Sequence, residues 1–240
     1  MILYGKNPVL ERIKSRPGTI KKLILKQKTD LSEIVRAAKE KKVGFISMPE
    51  DEFMDMANNV NAQGVIAEVD EFSYLPFAQA LQIAIKDGII PVFLDGITDP
   101  QNLGSTIRNL ACLGRFIIVI PEHNSVEVNE TVLRVASGGE NYLYVSKIIN
   151  TVKGIEDAKK MGFTVAGAVP FAKTSVMEAK LDLPLAVVLG SEGKGIRPGI
   201  LKVIDVEMSI PMWGAQLSYN AAVAAVLVLY EIMRRIKVPK

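Results

Sequence analysis

The chain contains one cysteine, one histidine and one tryptophan in 240 residues. A lone Cys112 excludes a disulfide framework, and His123 as the sole histidine makes a His/Cys metal site unexpected. No run of 18 uncharged apolar residues occurs outside the alanine-rich C-terminal segment. That segment has a polar flank and a core-like strand before it, so it reads as a buried helix rather than a membrane span. Only Ile2 and Leu3 follow Met1 before Tyr4-Gly5-Lys6; no signal peptide is expected, and the cytoplasm is the expected location. Excess charge is also lacking. With 29 Lys/Arg against 26 Asp/Glu the net charge is +3, which does not by itself point to nucleic acid.

What is present is apolar bulk: 49% hydrophobic residues, ample for one large domain or two small ones. Charge is uneven. Residues 1–28 carry eight Lys/Arg (Lys6, Arg12, Lys14, Arg16, Lys21, Lys22, Lys26, Lys28) against one acid, Glu11. Such a cluster suits phosphate binding, with Lys6, Arg12, Lys21 and Lys22 the contacts expected; a solvated lysine-rich face is the plainer alternative. The pattern over residues 5–69 alternates. Helices are expected at 5–15 (Asn7 capping ahead of Pro8), from Asp30, and at 50–59, with strands at 20–25, 43–47 and 64–69. This is a small α/β unit over residues 1–70. Residues 71–88 read as a linker that includes a helix ending at Asp87-Gly88.

A second alternation spans 89–240. Ile90 to Leu94 is a continuous apolar run, as for a strand buried on both faces of a parallel sheet. It leads through Asp95-Gly96-Ile97-Thr98-Asp99-Pro100 into a helix that Asn102 would cap, with Arg108 beyond. A strand end running into a helix is where open α/β sheets place their sites, although Arg108 alone could be a surface arginine. Further strands are expected at 116–120, 142–145, 163–169 and 183–189, with helices at 126–136 and 148–161. After Leu189 comes Gly190-Ser191-Glu192-Gly193-Lys194-Gly195-Ile196. This is not a phosphate loop, because Ile196 stands where Lys would be needed. It is not a dinucleotide fingerprint either, because Pro198 stands where the third glycine would fall, which leaves a nicotinamide enzyme without support.

The last element is VEMSIPMWGAQLSYNAAVAAVLVLYEI, residues 206–232: a short strand ending in proline, a turn, and from Ser218 a helix apolar on nearly every side. Such a helix is expected to be buried all round, with a second subunit supplying part of the burial. Ser218 and Asn220 are small polar groups at its mouth. They serve either as a cap and a loop contact, or as a site in which backbone groups hold a ligand.

D-P-x-N-x-G-x-x-x-R at 99–108, G-S-E-G-x-G at 190–195, and IPM-x-G followed by S-x-N at 210–220 resemble, in order, the three motifs of the SpoU-type RNA ribose methyltransferases of the SPOUT superfamily. Tyr4-Gly5-x-Asn7-x-Val9 and Gln63-Gly64-Val65 resemble the small ribosomal-protein-like RNA-binding domain found ahead of many of them, with Ala62 where histidine is usual. The resemblance implies an α/β fold: a C-terminal parallel-sheet domain with a deep trefoil knot, plus the small N-terminal α/β RNA-binding domain. It implies transfer of a methyl group from S-adenosyl-L-methionine to a ribose 2′-hydroxyl, on a guanosine of large-subunit ribosomal RNA, with transfer RNA as the alternative. It also implies a homodimer formed through the last helix; no metal is expected, as the single histidine already indicated.

For the site, the resemblance implies Arg108, Asn102, Glu192, Ser218 and Asn220 as the catalytic group. Ala168, Leu189, Gly190, Gly193, Ile210, Met212, Ser218 and Tyr219 would surround the cofactor, much of it held by backbone. A guanidinium with an ordinary pKa above about 12 is a poor base, so Arg108 is expected to clamp the substrate phosphate or the forming alkoxide. Two departures from the family stand out: Tyr219 stands for leucine, and Ala221-Ala222 stand for Val-Ser. These departures keep open a second reading, an RNA-binding protein that retains the fold without the chemistry.

Overall fold

The computed structural model of the chain describes residues 1–58, 60–191, 193–215 and 217–236. The N-terminal domain contains β1 (Ile2–Tyr4), α1 (Lys6–Ser15), β2 (Ile20–Lys26), α2 (Ser32–Glu40), β3 (Ile46–Met48), α3 (Glu50–Ala57) and β4 (Val65–Val69). Its sheet runs β1-β4-β2-β3, with only β2 and β3 parallel. Alternate residues of β2 face opposite ways: Ile24 packs with Phe53, Ala57 and Ile66 under α3, while Leu23 and Leu25 face α1 and α2.

The C-terminal domain contains β5 (Leu75–Pro76), α4 (Phe77–Asp87), β6 (Ile90–Asp95), α5 (Pro100–Leu113), β7 (Phe116–Pro121), α6 (Glu130–Ala136), β8 (Tyr144–Ile148), α7 (Thr151–Lys160), β9 (Thr164–Ala168), β10 (Leu185–Gly190), α8 (Pro198–Leu201), β11 (Val206–Met208) and α9 (Ala221–Arg235). Its sheet order is β11-β9-β10-β6-β7-β8-β5, and every neighbouring pair is parallel. The continuous apolar strands divide between two cores. Val92, Leu94, Val187 and Leu189 enter the cluster under α5, α6 and α9; Phe93, Ala186 and Val188 enter the one under α4, α7 and α8.

Several expected boundaries move, and the caps explain most of the shifts. α5 is capped by Asp99, whose carboxylate accepts from Gln101 N–H at 2.9 Å, with Pro100 at the first helical position; Asn102 therefore lies inside the helix. α6 starts later than residue 126 because Asn129 caps it, and α7 later than 148 because Asn150 does, which leaves Ile148 to close β8. α9 is capped by Asn220 and not by Ser218: Asn220 Oδ1 accepts from Ala222 N–H at 3.0 Å and from Val223 N–H at 3.4 Å. α1 begins beyond Gly5, whose φ of 95° suits glycine. Asn7 is within the helix, and the Lys6 N–H is taken by Gln63 Oε1 at 2.9 Å. Asp30 bonds Ser32 N–H from a position just outside α2, and that bond holds its carboxyl below the ordinary value. Asn59, at the expected end of α3, lies outside the described residues.

The expected linker is shorter than 71–88. β5 adds an edge strand beside β8, and Ala80, Leu81 and Ala84 of α4 are in the core. The connection is residues 70–74, and it is itself anchored: Tyr74 Oη accepts from Val128 N–H at 2.8 Å, and Lys147 Nζ sits 4.2 Å from the ring centroid. The two domains also share one apolar cluster that includes Leu3 and Val9 on one side and Val132 and Leu133 on the other.

Within one subunit α9 is not buried all round. Ala225, Val228, Leu229 and Ile232 are buried against its own subunit, whereas Val223, Leu227 and Tyr230 form an exposed apolar stripe at i, i+4 and i+7. Among the described residues, no helix is long and apolar enough to cross a membrane. Ala225 has no exposed surface. Ala225→Glu would therefore place an unpaired carboxylate in the core, and the expected result is loss of cooperative unfolding and of soluble protein. A calorimetric transition at the parent temperature would show that this face of α9 is not buried.

Candidate functional site

β9, β10, β6 and β11 end together at the carboxyl edge of the sheet, where open parallel sheets bind ligands. Gly190 closes β10. A Cβ there would stand 2.1 Å from the Gly195 carbonyl carbon and 2.4 Å from Ile196 N, so only glycine lets the following loop fold back over the strand end. Two backbone bonds close the loop: Ser191 N–H to Gly195 O at 3.2 Å and Gly195 N–H to Ser191 O at 3.0 Å. Gly193 and Gly195 have φ of 78° and 62°, which explains the glycine spacing.

The return is tied to the neighbouring strand. In the sheet Gly190 pairs with Asp95, the last residue of β6. The Asp95 carboxylate is buried and receives Arg197 N–H at 3.0 Å, Arg197 Nε at 2.8 Å and Arg197 Nη2 at 2.5 Å. On the other side, Val169 N–H bonds Met208 O at 2.9 Å and Val176 N–H bonds Ser209 O at 2.8 Å, which pins the segment after β9 across the end of β11.

These loops enclose a cavity of about 370 Å³, within the range of small-molecule sites. Its wall includes Ala168, Leu189, Gly190, Gly193, Ile210, Met212, Ser218 and Tyr219, the full set expected from the sequence. It also includes Ser191 of the second motif, and Phe171 and Leu217, which the sequence did not single out. None of the described lining residues is charged. Phe171 is exposed and has φ of 61°, a conformation bulky residues rarely adopt. Nothing in its local sequence announces that. Asp95 was legible as a strand end and nothing in the sequence singled out Arg197; their pairing is a tertiary fact.

Asn102 and Asn220 meet at the mouths of α5 and α9. Asn220 Nδ2 donates to Asn102 Oδ1 at 2.8 Å, an orientation set by the commitment of Asn220 Oδ1 to the α9 cap. Ser218 is exposed and lines the cavity. Arg108 lies further along α5, exposed, with no ion pair among the described residues, and it does not line the cavity. Glu192, the remaining member of the expected catalytic group, lies outside the described residues. Among the described residues no cluster of His, Cys, Asp or Glu could hold a metal.

The basic cluster of the N-terminal domain is only partly a surface. Lys6 is exposed, with Nζ donating to Asp30 O at 3.0 Å; Lys21 pairs with Asp70 at 3.3 Å; Lys22 is exposed. Arg12 is the exception. It is 6% exposed and pairs with Glu140 of the C-terminal domain at 3.0 Å, so it faces the domain junction and not solvent. The helix periodicity that buries Val9 and Ile13 carries Arg12 inward with them.

A parallel α/β sheet with an apolar, glycine-walled cavity at its carboxyl edge, preceded by a small α/β domain, has the architecture of a SPOUT methyltransferase. Residues 90–230 match the model of the SpoU rRNA Methylase family, and residues 2–75 match that for RNA 2′-O ribose methyltransferase substrate binding. The chain belongs to the SpoU family of RNA methyltransferases. A Staphylococcus haemolyticus protein assigned to the TrmH family of tRNA/rRNA methyltransferases is 34% identical over 240 residues, covering 98% of this chain and 96% of its own. A Staphylococcus aureus counterpart is 34% identical over 239 residues, with the same coverage. Among solved structures, the SpoU methyltransferase AviRb from Streptomyces viridochromogenes, in complex with AdoMet, has a TM-score of 0.79 at 23% identity over 100% of this chain and 91% of its own. An rRNA methyltransferase from Sinorhizobium meliloti has a TM-score of 0.79 at 20% identity, covering 99% and 88%. The fold is theirs, with the trefoil knot that the SPOUT methyltransferases carry.

Gly190→Ala would drive a methyl group into the Gly195 backbone. Overpacking of backbone is expected to destabilise by about 3 kcal/mol. Hydrogen exchange should show protection lost at the Ser191 and Gly195 amides; retained protection would mean the loop return does not depend on this glycine.

Proposed function

We propose that the chain transfers a methyl group from S-adenosylmethionine to the 2′-hydroxyl of a ribose in ribosomal RNA. The observation that carries this reading is the cavity itself: apolar, without charge among its described lining residues, and edged by the Asn102–Asn220 contact that joins the first and third motifs. When bound, S-adenosylmethionine supplies an electrophilic methyl group on a sulfonium. The residues suit it, since a sulfonium needs no counter-charge that this wall lacks. Gly190, Ile210 and Tyr219 would hold it through backbone groups, with Ala168, Leu189, Gly193, Met212 and Ser218 around it.

The acceptor hydroxyl is a weak nucleophile at neutral pH and must lose its proton in the reaction. Arg108 is assigned to the substrate. A guanidinium has donors only, so its role is to clamp a phosphate or the forming alkoxide with its planar fork. Asn220 has both ends of its amide committed, so it orients α5 and α9 and does not move protons. Of the residues that depart from the family, Tyr219 and Ala221 form part of the cavity wall, and Ala222 is buried in α9 outside the lining. Ribosomal RNA is favoured over transfer RNA on the strength of the N-terminal substrate-binding domain. The test is methyl incorporation into RNA stripped of its modification by gene deletion, with ribosomal and transfer RNA offered in parallel. Incorporation into transfer RNA alone would reverse the substrate, and no incorporation with intact cofactor binding would leave an RNA-binding protein.

The exposed stripe Val223, Leu227 and Tyr230 supports a homodimer through α9, in which a second copy of the same stripe covers it. Leu227→Glu is expected to give a folded monomer by sedimentation at micromolar concentration, with an unchanged melting profile apart from the lost association. A parent chain that is itself monomeric would remove this assignment.

Arg108→Ala should abolish methyl transfer with cofactor affinity little changed. Arg108→Lys should keep RNA binding and lose about a hundredfold in rate, as for one preorganised donor. A lysine variant as fast as the parent would show that Arg108 contributes charge alone.

A further inference from the structure

Away from the cavity, the most heavily buried side-chain pair among the described residues joins the two domains. Arg12 of α1 and Glu140 of the turn between α6 and β8 are 6% and 1% exposed, with Nη2 and Oε1 3.0 Å apart. Arg12 Nη1 also reaches Thr19 Oγ1 at 3.4 Å, and Asn141 Nδ2 reaches Glu140 Oε1 at 3.2 Å. Arg12 Nε and Glu140 Oε2 are buried without a hydrogen-bond partner among the described residues. Burial pushes the Glu140 carboxyl above its ordinary value, and Arg12 pulls it back. A pair this incompletely satisfied is weak evidence for stability, because apolar residues of similar volume often do as well or better; the best-attested use of such pairs is to fix register.

The surroundings say which register is fixed. A Cβ on Gly138 would stand 2.4 Å from Glu11 Cβ, and one on Gly139 would stand 2.9 Å from Arg108 Cα. The turn that carries Glu140 is therefore pressed between α1 of the N-terminal domain and the backbone of α5 at Arg108. Tyr142 Oη donates to the Glu11 carboxylate, and Ile2 N–H donates to Glu130 at 2.8 Å, so the docking is directional on both sides of the pair. The turn that carries Glu140 thus stands between α1, which begins at Lys6, and the stretch of α5 that carries Arg108.

We propose that the Arg12–Glu140 pair is a positioning device for target selection: it holds the RNA-binding domain at one orientation to Arg108 and so decides which ribose along a bound RNA is methylated. This rests on the activity proposed above. Neighbouring riboses along a nucleic-acid strand are only a few ångströms apart. A small rotation of the N-terminal domain therefore exchanges one ribose for the next, and a displacement of about 1 Å can cost about a hundredfold in rate. A purely apolar junction could slide through such a displacement; an ion pair with fixed hydrogen-bond geometry resists it.

The test uses the full chain and maps methylated riboses on ribosomal RNA, with single-turnover rates, for the parent, Arg12→Met/Glu140→Met and Glu140→Gln. The double variant removes both charges at similar volume. It is expected to keep its melting temperature and its affinities for S-adenosylmethionine and RNA, while methylation spreads to adjacent riboses and the rate at the parent position falls about tenfold or more. Glu140→Gln, nearly isosteric, should show the same spread to a smaller extent and covers the case in which the double variant does not fold. One parent position methylated at the parent rate in either folded variant overturns the inference. So does a uniform loss of activity at one unchanged position, which would mark the pair as structural only. A parent that methylates no RNA overturns the activity and this inference together, and is distinguishable from both.

Discussion

The contact between Gly190 and the returning Gly195 backbone is the constraint on which the rest of the site depends. A strand end without a side chain lets a loop close over it at a separation no Cβ could tolerate. The return brings Arg197 onto Asp95, the sheet partner of Gly190, and the buried carboxylate then links the ends of β6 and β10. Everything that lines the cavity from that side follows from this one approach of backbone to backbone.

The opposite wall depends on a smaller group. Asn220 caps α9 with its oxygen and reaches Asn102 with its nitrogen, so one side chain sets where α9 starts and where α5 sits beside it. Because the cap belongs to Asn220, Ser218 is released to line the cavity. Helix capping, usually a local matter of stability, here decides which hydroxyl faces the ligand space.

The N-terminal domain is not an independent appendage. Its α1 shares an apolar cluster with α6, and its one inward-facing arginine is matched by a buried carboxylate from the other domain. The basic cluster legible in residues 1–28 therefore splits between two places: exposed lysines on the surface of the domain, and Arg12 at the junction. Linear charge counting could not separate them, because helix phase, not composition, decides which side chain faces in.

The residues alone determined the two α/β units, the continuous apolar strands and the glycine loop, and the ordered motifs carried the family, the fold and the wall of the cavity. These are legible because they rest on short-range requirements: alternation, turn chemistry and spacing. Which residue caps α9, Ser218 or Asn220, which face of α9 stays bare, that Asp95 meets Arg197 and that Arg12 meets Glu140 were decided only by the tertiary structure. Each depends on which groups the fold brings together from distant parts of the chain, or on what neighbour a helix face meets, and neither leaves a pattern in the linear sequence. Arg12 and Glu140 stand 128 positions apart, and only the docking of one domain on the other makes them neighbours.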